Sequence, residues 1–214
     1  MKTIEPVNQI TKYVKDGMSV MVGGFMGCGT PEAFIDELLK ANIKDLTIIC
    51  NDAGYPNKGV GKLIVNGQVS HLIASHIGLN PEAGKRMGEG TMKVTLVPQG
   101  TLAEQIRAAG AGLGGILTPT GVGTIVEEGK KVINVDGKPY LLEKALHADI
   151  ALIYATASDQ YGNLIHEKTT RNFNPVMALA AKKVIALTRT IKPIDPNCIT
   201  TPHVLVNHLM KEGN

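Results

Sequence analysis

The stretch Val20-Met-Val-Gly-Gly-Phe-Met-Gly-Cys-Gly-Thr-Pro-Glu-Ala-Phe34 sets four glycines among the seven residues from Gly23 to Gly29, between an apolar run and a helix-start signal. A strand that ends in a glycine-rich turn and feeds straight into a helix is the βα unit of a parallel sheet. Thr30 suits the N-cap and Pro31 the first helical position, while Phe34, Ile35, Leu38 and Leu39 make one apolar stripe. The same alternation repeats down the chain: Ser19–Val22, Leu46–Cys50, His71–Ser75, Lys93–Val97, Ala148–Tyr154 and Lys183–Leu187 read as strands. They are continuously apolar and β-branched rather than alternating, which calls for helices on both faces of the sheet. Thr101–Ala109 is a second clear helix, with Gly110 as its stop.

Between Val126 and Leu142 the pattern changes. Lys131–Val135 and Lys138–Leu142 flank Asp136-Gly137, and an Asp-Gly pair between strand-like runs signals a tight hairpin. No fixed-period repeat, low-complexity tract or linker appears. The expectation is one α/β domain over residues 1–214, a mostly parallel sheet flanked by helices with an inserted antiparallel hairpin.

Composition narrows the function. At 214 residues and 43% hydrophobic content, the chain can bury a sizeable core. Its 22 Lys and Arg against 19 Asp and Glu give +3, scattered rather than clustered, and aromatics are 4% with no Trp. Neither the basic footprint nor the stacking platforms of a nucleic-acid binder are there. The opening Met1-Lys-Thr-Ile-Glu-Pro-Val-Asn8 sets an acid and a proline where a signal peptide needs apolar residues. No apolar run approaches the roughly 18 residues of a membrane span, so a cytoplasmic protein without membrane contact is expected. Cys28, Cys50 and Cys198 are odd in number and far apart, which argues against a disulfide framework or zinc site. His71 and His76, like His203 and His208, are spaced five apart rather than four, off a single helical face, and no metal is expected.

The glycine loop has three readings on local grounds: a cradle for phosphate, carboxylate or a developing oxyanion, a setting for the Cys28 thiol, or only a tight turn. It is no Walker loop, because no Gly-Lys-Ser/Thr follows, and no dinucleotide fingerprint, because Glu32 stands where the third glycine belongs. Gly110, Gly112 and Gly115 do spell G-x-G-x-x-G, yet they follow a helix and lead into Ile116-Leu-Thr-Pro-Thr120, so the mechanical context fails. Two polar turns, Leu96–Thr101 and Thr118–Thr124, offer uncharged groups at strand ends. Gln99 there suits a small carboxylate or thioester carbonyl, or closes its own turn. Cys28 reads as a small buried or half-buried apolar residue. Among the acids, Glu32 serves the helix start, Glu104 sits on a helix face, and Glu127, Glu128 and Glu143 read as solvated. None is marked as an activated carboxylate.

Taken together, several stretches resemble the family I coenzyme A transferases. These are Val22-Gly-Gly-Phe-Met-Gly-Cys-Gly-Thr-Pro-Glu32, Asn51-Asp-Ala-Gly54, Ile73-Ala-Ser-His-Ile-Gly78, Val97-Pro-Gln-Gly-Thr-Leu-Ala-Glu-Gln-Ile-Arg107, the run from Gly110 to Thr124, and Arg171-Asn-Phe-Asn-Pro175. They cover nearly the whole chain in fixed order and look like the alpha subunits of acetate/acetoacetate (3-oxoacid) transferases of short-chain fatty acid metabolism. The resemblance implies a CoA-transferase-like fold, a CoA thioester as substrate and no permanently bound cofactor. It implies that Gly23, Gly24, Phe25, Met26, Gly27, Cys28 and Gly29 meet CoA, and that Asn51 and Gln99 line the acyl or carboxylate pocket. Family chemistry runs through a glutamyl-CoA thioester. That glutamate belongs to a Ser-Glu-Asn-Gly-type motif of the beta subunit and has no counterpart here, so no catalytic residue is expected in this chain. A beta partner in a heterodimer or heterotetramer is implied, with acetate, butyrate or acetoacetate as acids. The alternative is a non-catalytic CoA- or acyl-CoA-binding regulatory protein of the same fold.

Overall fold

The computed structural model describes residues 1–213. Its organising fact is that successive residues of one strand enter different cores. In β2 (Ser19–Val22), which follows β1 (Ile4–Glu5) and the short helix α1 (Ile10–Tyr13), Val20 and Val22 join one apolar cluster and Met21 the other. The first cluster is covered by Phe34, Ile35 and Leu38 of α2 (Glu32–Ala41), by Leu63 and Ile64 of α3 (Gly61–Val65) and by Ala83 of α4 (Pro81–Gly88). The second is covered by Leu102 and Ile106 of α5 (Gln99–Gly110) and by Val176 and Met177 of α6 (Asn174–Ala180). Burial on both faces is what the continuous apolar strands required.

The main sheet contains β3 (Leu46–Ile49), β4 (Val69–Ala74), β5 (Lys93–Leu96), β9 (Ala148–Ser158), β11 (Ala181–Ile191) and β12 (His208–Lys211) besides β1 and β2. Its order is β1-β12-β11-β9-β2-β3-β4-β5 with every pair parallel, and β10 (Leu164–Ile165) adds an antiparallel pairing to β9. The chain winds outward from β2 to β5, then returns to lay β9 on the other side of β2. The crevice beyond the carboxyl ends of β2 and β9 is therefore a topological switch point, where open parallel sheets bind ligands. No helix among the described residues is long and apolar enough to cross a membrane.

Outside this sheet, β7 (Lys131–Val135) and β8 (Lys138–Lys144) form the expected hairpin, with Asp136 and Gly137 at φ +49° and +76° as a tight two-residue turn demands. The hairpin is part of a larger unit, because β6 (Gly115–Thr118) pairs antiparallel with β8 to make a three-stranded sheet. A Cβ at Gly115 would stand 2.3 Å from the Glu143 carbonyl oxygen, so this glycine lets two backbones meet. Glu143 is not solvated: it is 3% exposed, paired with Lys130 at 2.5 Å and receiving the Gln105 amide at 3.0 Å. Helix α2 starts at Glu32, with Pro31 at the cap position and no capping bond from the Thr30 side chain. Helix α5 starts two residues before Thr101, at Gln99.

At the opposite end of the sheet Asp149 ties the three central strands. Its carboxylate accepts from the Ser19 hydroxyl (2.7 Å), the Ser19 N–H (3.1 Å) and Lys182 Nζ (2.9 Å). The hydrogen bonds from Lys182 and Ser19 pull its pKa down from 3.8 to about 2. A depressed carboxyl pKa stabilises the fold above the unfolded value and loses that contribution as pH falls through the folded one. Asp149→Asn is thus expected to lower stability at pH 7 by on the order of 1 kcal/mol, a figure reduced for partial exposure. In urea unfolding the gap between the two proteins should close as pH falls from the unfolded value of 3.8 to about 2; a constant gap across that window would assign it to packing.

Candidate active site at the switch point

The glycine loop leaves β2 beside β9, and the Gly23 N–H donates to the Leu152 carbonyl at 3.0 Å. Phe25 and Cys28 then exchange two backbone hydrogen bonds at 2.8 and 3.0 Å, closing a tight turn over Met26 (φ +48°) and Gly27 (φ +79°). Two asparagines from the far half of the chain hold it. Asn172 accepts from the Gly24 N–H (3.2 Å) and donates to the Cys28 carbonyl (3.0 Å). Asn174, fully buried, accepts from the Tyr154 N–H (2.8 Å) and donates to the carbonyls of Gly29 (3.0 Å) and Thr170 (3.1 Å). Glycine is required here: a Cβ at Gly23 would fall 1.9 Å from Asn174 Oδ1, and one at Gly24 (φ +120°) 2.1 Å from Thr30 Oγ1.

The next strand ends supply the opposite wall. Asp52, following β3 and 6% exposed, accepts from the Met26 N–H (2.8 Å), the Asn51 side-chain amide (2.8 Å) and the Gly54 N–H (2.9 Å). Asn51 Oδ1 in turn accepts from Gln99 Nε2 at 2.6 Å, and the Ser75 hydroxyl donates to the Asn51 carbonyl at 2.7 Å. A continuous hydrogen-bonded line thus runs from the loop through Asp52 and Asn51 to Gln99 at the start of α5. Asn51 spends its amide inside this line and orients Gln99, which is exposed and keeps its carbonyl and second N–H free among the described residues.

Phe25, Met26, Asn51, Asp52, Ser75, His76 and Gln99 enclose a cavity of about 350 Å³. Phe25 and Gln99 also border an adjoining cleft of about 520 Å³ that carries Arg107 and Arg171 over an apolar floor including Phe173, Val176 and Leu179. The sequence-marked Phe25, Met26, Asn51 and Gln99 are therefore brought together. Asp52, Ser75, His76, Asn172 and Asn174 carry no local sequence signal of their own, although all lie in the stretches that resemble the family. Of the loop N–H groups, those of Gly23, Gly24, Phe25, Met26 and Cys28 are engaged. Those of Gly27, Gly29 and Thr30 meet no acceptor among the described residues.

Two expectations change, for Cys28 and Glu32, and one neighbour of the loop is new. Cys28 is exposed rather than packed away, with its sulfur 2.8 Å from Thr169 Oγ1, because the tight turn carries it to the surface. Lys58 lies against Gly27, where a Cβ would be 2.6 Å from Lys58 Cε, so a cation absent from the local sequence stands beside the loop. Glu32 reaches past its own helix start to accept the Gly59 N–H at 2.9 Å and to pair with Lys62 at 2.7 Å.

Amides, a hydroxyl, an imidazole and one acid that holds three N–H donors thus line a cavity over the carboxyl ends of β2 to β5, the end at which open α/β sheets bind ligands. The chain belongs to the coenzyme A transferase family, whose model matches residues 4–212. It is 52% identical over 215 residues to the acetate CoA-transferase subunit alpha of Escherichia coli (strain K12), covering 98% of this chain and 97% of that protein. It is also 52% identical over 206 residues to the acetoacetyl-CoA:acetate/butyrate CoA transferase alpha subunit of Clostridium acetobutylicum, covering 95% and 94%. Among solved structures, an acyl-CoA transferase of E. coli O157:H7, a thioester complex with CoA, matches at a TM-score of 0.88 and 23% identity. That match covers 99% of this chain and 47% of the other, so this chain spans about half of that structure's length.

Proposed function

We propose that the chain is the alpha subunit of a short-chain acyl-CoA transferase and supplies one wall of an active site completed by a beta subunit. The observation that carries this is the state of Asp52. Among the described residues it is the one acid that lines the cavity, and three N–H donors tie its two oxygens into the wall, so it is committed to holding the loop rather than poised to attack a thioester. In the proposed reaction a beta-subunit glutamate attacks the acyl-CoA carbonyl carbon, the C–S bond breaks, and a mixed anhydride and CoA thiolate form. The thiolate then attacks the glutamyl carbonyl, releasing the acyl group as a free carboxylate and leaving glutamyl-CoA, which a second carboxylate opens by the reverse route.

The acyl group occupies the cavity between Phe25–Met26 and Asn51–Gln99 in this reading. The Gln99 amide, which lines this cavity and keeps an N–H free, is the donor at hand for a developing oxyanion, a contribution of roughly 3–4 kcal/mol for a well-placed donor. Residues 1–214 act as one unit in it, and the free cysteines suit the reducing cytoplasm. The test is reconstitution. Expressed with its own beta subunit, the chain should support CoA exchange between acetoacetyl-CoA and acetate or butyrate, and none by itself. Full activity of the isolated chain, or none from the pair, overturns the reading.

A further inference from the structure

The cavity beside the glycine loop has an unusual electrical character for a site meant to receive carboxylates. Phe25 and Met26 are apolar, Asn51, Ser75 and Gln99 are neutral, His76 is titratable, and Asp52 is an acid 6% exposed. Among the described residues neither lysine nor arginine lines it. Lys58 packs at Gly27 and is not among the lining residues, while Arg107 and Arg171 belong to the adjoining cleft. The reacting carboxylate of a substrate is consumed in acyl transfer; a second carboxylate at the far end of the chain would enter as a fixed charge.

Resting on the transferase reading above, we infer that Asp52 makes the cavity selective for monocarboxylic acyl groups and rejects those with a second, terminal carboxylate. Two carboxylates about 5 Å apart at intermediate effective dielectric disfavour one another by roughly 10²-fold. The three N–H donors already on Asp52 reduce that, and about tenfold is the discrimination expected. The same donors hold Asp52 in place in the wall. Volume is not the filter, since about 350 Å³ holds a four-carbon chain with either end group. The rival geometry places the acyl group in the neighbouring cleft, where Arg107 and Arg171 would favour the second carboxylate.

Butyryl and succinyl groups have the same carbon count and differ in the terminal charge, which makes them the probes. With the chain reconstituted with its beta subunit and acetate as acceptor, kcat/KM is measured for butyryl-CoA, succinyl-CoA and the CoA thioester of succinate monomethyl ester. Butyryl-CoA should exceed succinyl-CoA at least tenfold, and the uncharged ester should recover most of the difference. Asp52→Asn is expected to slow every substrate, because its amide opposes one of the N–H donors, yet to raise the succinyl-to-butyryl ratio at least fivefold. A wild-type ratio near one or in favour of succinyl-CoA, or an ester as poor as succinyl-CoA, overturns the inference, and these arms can overturn it even if the variant does not fold. An unchanged ratio in a folded Asp52→Asn pair also overturns it. A wild-type pair that is inactive toward all three and toward acetoacetyl-CoA with acetate instead brings down the transferase reading, and the inference with it.

Discussion

Gly24→Val in the reconstituted pair is expected to lower CoA transfer by at least about 10²–10³-fold, the loss associated with removing transition-state donors. The cause is local and twofold. Residue 24 sits at φ +120°, a region closed to a β-branched side chain, and its Cβ would be driven to 2.1 Å from Thr30 Oγ1 and 3.1 Å from the Thr30 Cα. Relieving that clash means moving the loop that carries Phe25 and Met26 in the cavity wall, along with the free N–H groups of Gly27 and Gly29. Asn172, Asn174 and Asp52 of the same chain hold the loop backbone, so the disturbance stays local, and association with the beta subunit, followed by co-purification and size-exclusion chromatography, should survive. Transfer at the wild-type rate by the variant pair would show that the loop is a turn and nothing more.

Replacing Asn174 by alanine is the second large effect expected, and its readout is stability. The side chain is fully buried, and removing it strips hydrogen-bond partners from the Tyr154 N–H and from the carbonyls of Gly29 and Thr170. Each buried group left unpaired costs roughly 1–3 kcal/mol, and partial rearrangement around the hole makes about 3–5 kcal/mol the expected sum. Urea unfolding of the isolated chain measures it directly. Asn174→Asp keeps the oxygen facing Tyr154 but sets a second oxygen against the Gly29 and Thr170 carbonyls in a buried site, so it should lose at least as much as alanine; a loss under about 1 kcal/mol for alanine would mean water replaces the amide.

Much of the fold is written in short-range patterns. Ile48, Leu72 and Leu152 lie in strands dominated by consecutive apolar residues, and such runs announce a covered parallel sheet without reference to distant residues. Asp136-Gly137 announces its turn for the same reason, since few pairs accept two positive φ values in succession. Strand β1, at two residues, and β6, lying between Gly114 and Pro119, offer no such local pattern, and their pairing depends on partners elsewhere. The site divides in the same way. Gly23 to Gly29 stands out because the backbone needs glycine, and Asn51 and Gln99 followed from the resemblance. Asp52 and Asn174 look ordinary in a list of residues, because each acquires its role only when folding sets it against the loop. Cys28 misleads for the converse reason: its type suggests burial, while the turn that holds it is built at the surface.

The clasp of Asn172 on the Gly24 N–H joins residues 148 positions apart. Since contacts between distant segments form only after the intervening chain has paid its loop-closure entropy, the glycine loop takes its final shape late, once β9 and the segment before α6 have docked. A growing chain that has emitted β2 through β5 therefore already possesses half a sheet but no formed binding edge. Ligand-competent geometry becomes a certificate that both halves of the chain have arrived.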